Sequence, residues 1–261
     1  MPPSETLIAV DIGNSRTKLG RFCVGTAQDE LPRPDSTLRL ATDWSDPRPI
    51  EKWLRGVDDG AKWFISSVHR PSCERLRAHL AQYRSADAIT LLSAADLPLE
   101  VQVDQPEKVG LDRLATAVAA NCLRPANTPA VVVDLGSAIT VDLISARGEF
   151  RGGAILPGIA MAARAMHQQT DLLPATEMDT LDEPPPALGR DTIAAMRSGL
   201  YWGAVGAMRE LIARLTDECD QTPEVYLTGG AAPAVADRLG SLAVYIPDMA
   251  LRGTAVAILR G

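Results

Sequence analysis

A chain of 261 residues with 46% apolar side chains can bury the core of one large domain or two ordinary ones. Its formal net charge of -7 argues against a general nucleic-acid binder, because nonspecific binding to phosphate backbones depends on a surplus of Lys and Arg. No apolar run approaches the roughly 20 residues that span a bilayer, and the N-terminus carries no secretory-signal pattern, so a cytoplasmic protein with no membrane partner is expected.

In chain order, Leu7 to Val10 reads as a buried strand that runs into Asp11-Ile12-Gly13-Asn14-Ser15-Arg16-Thr17-Lys18-Leu19-Gly20, an Asp-x-Gly turn and a returning strand. Lys62 to Val68 reads as a strand, Pro71 to Arg84 as a helix with Pro near its start, and Ala88 to Leu92 as another strand. Asp112 to Leu123 is strongly helical, and Arg124 to Pro129 breaks it. The pattern of Leu7 to Gly20 then returns: Val131-Val132-Val133 leads into Asp134-Leu135-Gly136-Ser137-Ala138-Ile139-Thr140-Val141-Asp142-Leu143. Ile159 to Gln169 reads as helix, Leu173 to Gly189 as loop, and Thr192 to about Asp217 as a long helix; the strand Glu224 to Leu227 and the turn Thr228-Gly229-Gly230 follow. Strands alternating with helices, with one hairpin design repeated about half the chain apart, predict an α/β protein of two duplicated domains, 1–125 and 126–261.

Several residues are candidates for chemistry. A tight hairpin around Gly13, Asn14 and Ser15 makes an anion-binding concavity, with Asp11 able to hold a hydrated Mg²⁺ and Lys18 able to reach a phosphate. A plain hairpin with a polar turn is the alternative. In the second copy Asp134 would take a cation, while Ser137 and Gly136 would take a phosphate oxygen, the two turns facing each other across a cleft. Asp112, in Val109-Gly110-Leu111-Asp112-Arg113 at a helix start, either satisfies free N–H groups there or serves as base for a substrate hydroxyl, with Arg113 forking a substrate carboxylate. Thr228-Gly229-Gly230 offers bare backbone to an adenine or ribose. Gly199, Gly203 and Gly206 interrupt the long helix, each costing about 1 kcal/mol relative to Ala, which helix packing or a subunit interface would offset. Tyr201 and Trp202 are read as packing or interface residues. Cys23, Cys73, Cys122 and Cys219 show no metal or disulfide spacing, and His69, His79 and His167 receive no chemical role.

Taken in order, these runs, with Gly152 to Gly158 and Leu188-Gly189-Arg190-Asp191-Thr192, resemble the type III pantothenate kinases and the related Bvg accessory factor-like proteins. The resemblance implies duplicated ribonuclease H-like, actin-like ATPase domains with a cleft between them. It implies ATP-dependent phosphorylation of pantothenate to 4'-phosphopantothenate, the opening step of coenzyme A synthesis. The family's nucleotide loop falls on Asp11, Gly13, Asn14, Ser15, Arg16, Thr17 and Lys18, its proton acceptor on Asp112, and its substrate-binding stretch on Gly110, Leu111, Asp112 and Arg113. Its monovalent cation site, for K⁺ or NH₄⁺, falls on Asp134, with Ser137 as a nucleotide contact and Thr192 as a substrate contact. ATP, Mg²⁺ and the monovalent cation are the implied cofactors and a homodimer the implied assembly. Two positions depart from the family pattern: Val103 stands where a substrate-contacting Tyr is common, and Asp191 where Asn is usual. The rival expectations are another small-molecule kinase of the same fold, and a nucleotide-binding regulatory protein without turnover.

Overall fold

The computed structural model describes residues 6–23, 31–178 and 183–259. These divide into two compact units, one formed by Met1–Leu123 with Met249–Gly261 and the other by Arg124–Asp248.

The first unit is built on β1 (Thr6–Ile12), β2 (Arg16–Cys23), β3 (Ser36–Ala41), β4 (Lys62–Ser67) and β5 (Ala88–Leu91), in the order β3-β2-β1-β4-β5. β1, β4 and β5 run parallel; β2 and β3 are antiparallel to their neighbours. The run Leu7 to Val10 of β1 is apolar because both faces of the strand are covered. Ile8, Val10 and Ile12 enter a core with Leu19, Trp63, Ile65, Leu76 and Leu80, whereas Leu7 and Ala9 pack with Phe22, Leu251 and Ala255 on the opposite side. The helices are α1 (Arg48–Trp53), α2 (Arg70–Tyr83), α3 (Leu111–Leu123) and, at the far end of the chain, α7 (Met249–Leu259).

The second unit repeats the plan with β6 (Ala130–Leu135), β7 (Ala138–Ile144), β8 (Phe150–Pro157), β9 (Glu224–Thr228) and β10 (Val244–Tyr245), joined by α4 (Ile159–Gln168), α5 (Thr192–Asp217) and α6 (Pro233–Leu239). Its order is β10-β9-β6-β7-β8, with β6, β9 and β10 parallel and β7 and β8 antiparallel to their neighbours. Strand for strand this is the first sheet again. The β1–β2 connection is Gly13-Asn14-Ser15 and the β6–β7 connection only Gly136-Ser137, so the second hairpin is one residue tighter.

The domain limit expected at 125/126 differs from the division at Leu123/Arg124, and α7, expected in 126–261, belongs to the first unit. Its packing gives the reason: a Cβ on Gly253 of α7 would collide with the Ala115 carbonyl oxygen of α3. The two helices touch backbone to backbone there, and Leu251 and Ala255 cover β1.

A buried carboxylate ties the outer part of the first sheet together. Asp87 accepts from the Arg84 Nε and the Trp63 Nε1, both at 2.8 Å, and from the backbone N–H groups of Gly60 and Ala61. Burial alone pushes its pKa up, but the bonds from Arg84, Trp63 and Gly60 outweigh it and hold the carboxyl below its ordinary value. The ionised form therefore stabilises the fold at pH values above the ordinary carboxylate range, and that contribution is lost as pH falls through the lowered native value. Asp87→Ala leaves these donors facing a void and should cost about 3 kcal/mol, seen as a lower urea midpoint at neutral pH. The gap to wild type should close under acid. An equal midpoint at neutral pH would remove Asp87 from this role.

Candidate active site

The first hairpin stands at the carboxyl ends of the parallel strands, where open α/β sheets present their ligand-binding loops. Asp11 lies directly opposite Lys18 across the β1–β2 ladder, so carboxylate and ammonium share one face. Neither Gly13 nor Gly136 adopts a left-handed conformation. A Cβ on Gly136 would approach nothing closer than 3.6 Å, and on Gly13 only the Arg16 carbonyl at 3.3 Å. Backbone geometry does not demand these glycines; their own N–H groups close the turns onto the Arg16 and Ala138 carbonyls, both at 3.0 Å, and the missing side chains leave room for close approach to the neighbouring amides.

Asp112 comes to the same end of the same sheet. The Val68 N–H donates to the Ile12 carbonyl at 3.0 Å, extending the β1–β4 pairing beyond its last strand residue. Gly110 sits beside Val68: a Cβ there would lie 3.9 Å from the Val68 Cγ1 and 2.5 Å from the Asp112 Oδ1. Lacking a side chain, Gly110 lets the carboxylate fold back over the start of α3. Asp112 Oδ1 accepts the Arg113 N–H at 2.9 Å, and among the described residues Oδ2 accepts no hydrogen bond. The two roles open to Asp112 are thereby divided between its oxygens, one serving the helix start and the other without a hydrogen-bond partner among the described residues. Leu111 and Arg113 flank it, both half-buried.

In the second unit, Asp134 pairs in register with Thr140 on β7 and Thr228 on β9. Gly229 has a positive φ of 105°, and any Cβ on it would meet Asp134 Oδ1 at 2.5 Å and the Leu135 carbonyl at 2.4 Å, so only glycine fits. Gly158 N–H donates to the Ser137 carbonyl at 3.1 Å, seating the start of α4 on the tight turn. Asp134, Ser137 and Thr228 thus gather at one end of the second sheet.

Thr192 lies on the exposed first turn of α5, with no hydrogen-bond partner for its side chain among the described residues. Asp191, before it, is the N-cap of α5 and accepts the Ala194 N–H at 2.8 Å. Asp and Asn cap equally well, which accounts for this departure from the family pattern. Val103 is half-buried at a bend in the connection between β5 and α3. Tyr201 and Trp202 are packing residues: the Tyr201 hydroxyl donates to the Ala234 carbonyl at 2.8 Å and the Trp202 Nε1 to the Pro185 carbonyl at 3.0 Å. The residue missed from sequence is Thr42, which binds the first hairpin from 29 positions away. Its only signal is a polar residue following the alternation of β3.

The doubled sheet, with an Asp at the carboxyl end of each central strand and a tight turn after it, defines a protein of the actin-like, sugar-kinase-like ATPase fold. A glucokinase from an Antarctic psychrotroph superposes over 98% of this chain and 99% of its own with a TM-score of 0.50 at 12% identity, a likeness of fold. The family model for type III pantothenate kinase matches residues 7–214, and the chain belongs to that family. The type III pantothenate kinase of Dehalococcoides mccartyi strain CBDB1 is 32% identical over 254 residues, covering 96% of this chain and 94% of the relative. That of Rubrobacter xylanophilus is 35% identical over 269 residues, covering 96% of each.

Proposed function

We propose that the protein transfers the terminal phosphoryl group of ATP to the primary hydroxyl of pantothenate, giving 4'-phosphopantothenate. The observation that carries this reading is the Asp112 carboxylate, anchored through one oxygen and open at the other, at the same sheet end as the Asp11–Lys18 hairpin. Phosphoryl transfer passes through a loose transition state, so the protein contributes positioning and charge neutralisation more than covalent chemistry. The Asn14 and Ser15 turn, with Gly13, Arg16 and Lys18, is assigned to the nucleotide phosphates, and Ser137 to a further nucleotide contact; Thr17, expected in the same loop, is 1% exposed and packs inside the first unit instead. Gly110, Leu111, Arg113 and Thr192 are assigned to the substrate, Arg113 to its carboxylate.

The donor chemistry fits the implied ions. Among the described residues no three acidic, His or Cys side chains cluster as a metal cage. Mg²⁺ is commonly held by one carboxylate together with phosphates and waters, a role that suits Asp11. Asp134, flanked in register by two threonines where Asp11 faces a lysine, offers an oxygen-rich site for a monovalent cation.

A homodimer is part of the proposal. Gly199, Gly203 and Gly206 on α5 are exposed, and a Cβ on any of them would meet nothing within 4 Å. Packing among the described residues therefore offsets none of their helix cost. Thr192, Gly199 and Gly206 recur every seven residues along one helical face, beside the exposed Leu188 and Ile193. A second copy approaching this face explains the glycines and brings Thr192 under cover.

ADP release with Mg-ATP, measured with and without pantothenate in potassium and then sodium buffer, tests the function. Turnover is expected only with pantothenate and faster in potassium. ATP binding without pantothenate-dependent turnover would sink the kinase assignment. Sedimentation of the same sample checks the assembly, and a mass of one 27.8 kDa chain would remove the dimer.

A further inference from the structure

We propose that Thr42 is a positioning residue for nucleotide binding, holding the carbonyl groups of the first hairpin inward so that its amides face the phosphates. The inference rests on the assignment of Asp11 to Lys18 as the nucleotide loop.

A turn binds an anion only if its N–H groups point outward and its carbonyl oxygens do not. In this hairpin the carbonyls of Ile12, Gly13, Ser15 and Arg16 are all engaged inside the protein. Ile12 accepts from Val68 N–H at 3.0 Å, and Arg16 from Gly13 N–H at 3.0 Å. The other two are taken by one residue: the Thr42 hydroxyl donates to the Gly13 carbonyl at 2.8 Å, and the Thr42 N–H donates to the Ser15 carbonyl at 3.0 Å. Among the described residues Asn14, at the tip between them, has no hydrogen-bond partner. The Asn14 N–H is thus left unpaired between two carbonyls that Thr42 holds.

Thr42 is itself fixed. It is 3% exposed. Its carbonyl accepts from the Ser72 Oγ at 2.5 Å and from the Arg75 Nη1 at 3.3 Å, both on α2. Arg75 in turn lies 5.6 Å over the Trp44 ring. The chain from α2 to the turn is short and buried, so the conformation of Gly13 to Ser15 is set by the fold before any nucleotide arrives. Binding then spends little on ordering the turn.

The test compares Thr42→Val, which keeps the N–H bond and the shape but loses the hydroxyl, with Thr42→Ser and Lys18→Ala. Thr42→Val should raise the Kd for Mg-ATP and the KM for ATP about tenfold, the worth of one oriented hydrogen bond. Its kcat at saturating ATP and its KM for pantothenate should stay within about twofold of wild type, because only nucleotide binding is touched. Thr42→Ser should bind ATP as wild type does. If Lys18→Ala weakens ATP binding and Thr42→Val does not, the positioning role is wrong and the nucleotide assignment stands. Should neither variant change ATP affinity, the hairpin is not the nucleotide loop and the proposal falls with it. A Thr42→Val protein with a lower urea midpoint whose kcat and both KM values worsen together would reduce Thr42 to a structural residue.

Discussion

Asp112→Asn is expected to lower kcat about a thousandfold while Mg-ATP binds as before, the size of effect associated with loss of a general base. The substitution suits the question because of how the carboxylate is held. Oδ1 accepts the Arg113 N–H, an interaction that the amide oxygen of Asn reproduces, so the side chain should keep its orientation. What changes is the other atom: an accepting oxygen becomes a donating NH₂, which cannot take a proton from the pantothenate hydroxyl. Helix stability should fall by no more than about 1 kcal/mol, the worth of a negative charge in the first turn of α3. Stopped-flow or coupled assays at saturating ATP and pantothenate read the effect. Turnover within tenfold of wild type would show that Asp112 orients the hydroxyl without accepting its proton.

The two hairpins were legible in the sequence because each is a local event. A β-branched apolar run, an Asp, a glycine turn and a second alternating run encode strand, turn and strand without help from elsewhere, and β1–β2 and β6–β7 follow. The helices α2, α3, α4 and α5 announced themselves by a proline in the first turn, by alanine content or by length. Other elements lacked such marks. β3 is an edge strand of alternating exposure, Ser-Thr-Leu-Arg-Leu-Ala, and β8 carries Gly152 and Gly153, which weaken a strand pattern. Gly153 is required there because a Cβ would strike the Val141 carbonyl of β7, a contact the sequence cannot display. α7 is apolar on every side with an Arg and a Gly inside it, so it has no amphipathic stripe to read; its place is set by α3, some 130 residues earlier in the chain.

The site divides along the same line. Asp11, Lys18, Asp112 and Asp134 were visible because charged residues beside glycine turns are unusual at strand ends and helix starts. Thr42 was invisible because its partners are backbone carbonyls, which every residue has. The duplication also explains what differs. Both halves place an Asp at the end of the central strand, but the residue opposite is Lys18 in one and Thr140 in the other. A single design thus places a cation across the ladder from the Asp in one hairpin and a hydroxyl in the other.

That asymmetry makes Asp134→Asn the other substitution with a large expected effect. The side chain is confined by Gly229, whose backbone abuts Oδ1, and the isosteric amide fits the same space, so loss of function would report loss of charge. With Thr140 and Thr228 as its register neighbours, Asp134 supplies the formal charge of this oxygen cluster, and a neutral amide leaves only dipoles to hold a monovalent cation. Activity in potassium buffer should drop about a hundredfold, or ~2.7 kcal/mol of transition-state stabilisation. More tellingly, the difference between potassium and sodium buffer should vanish, because the step that distinguishes them has been removed. If activity dropped but still preferred potassium by the wild-type ratio, the cation would have to be held by other oxygens and Asp134 would act on the nucleotide directly.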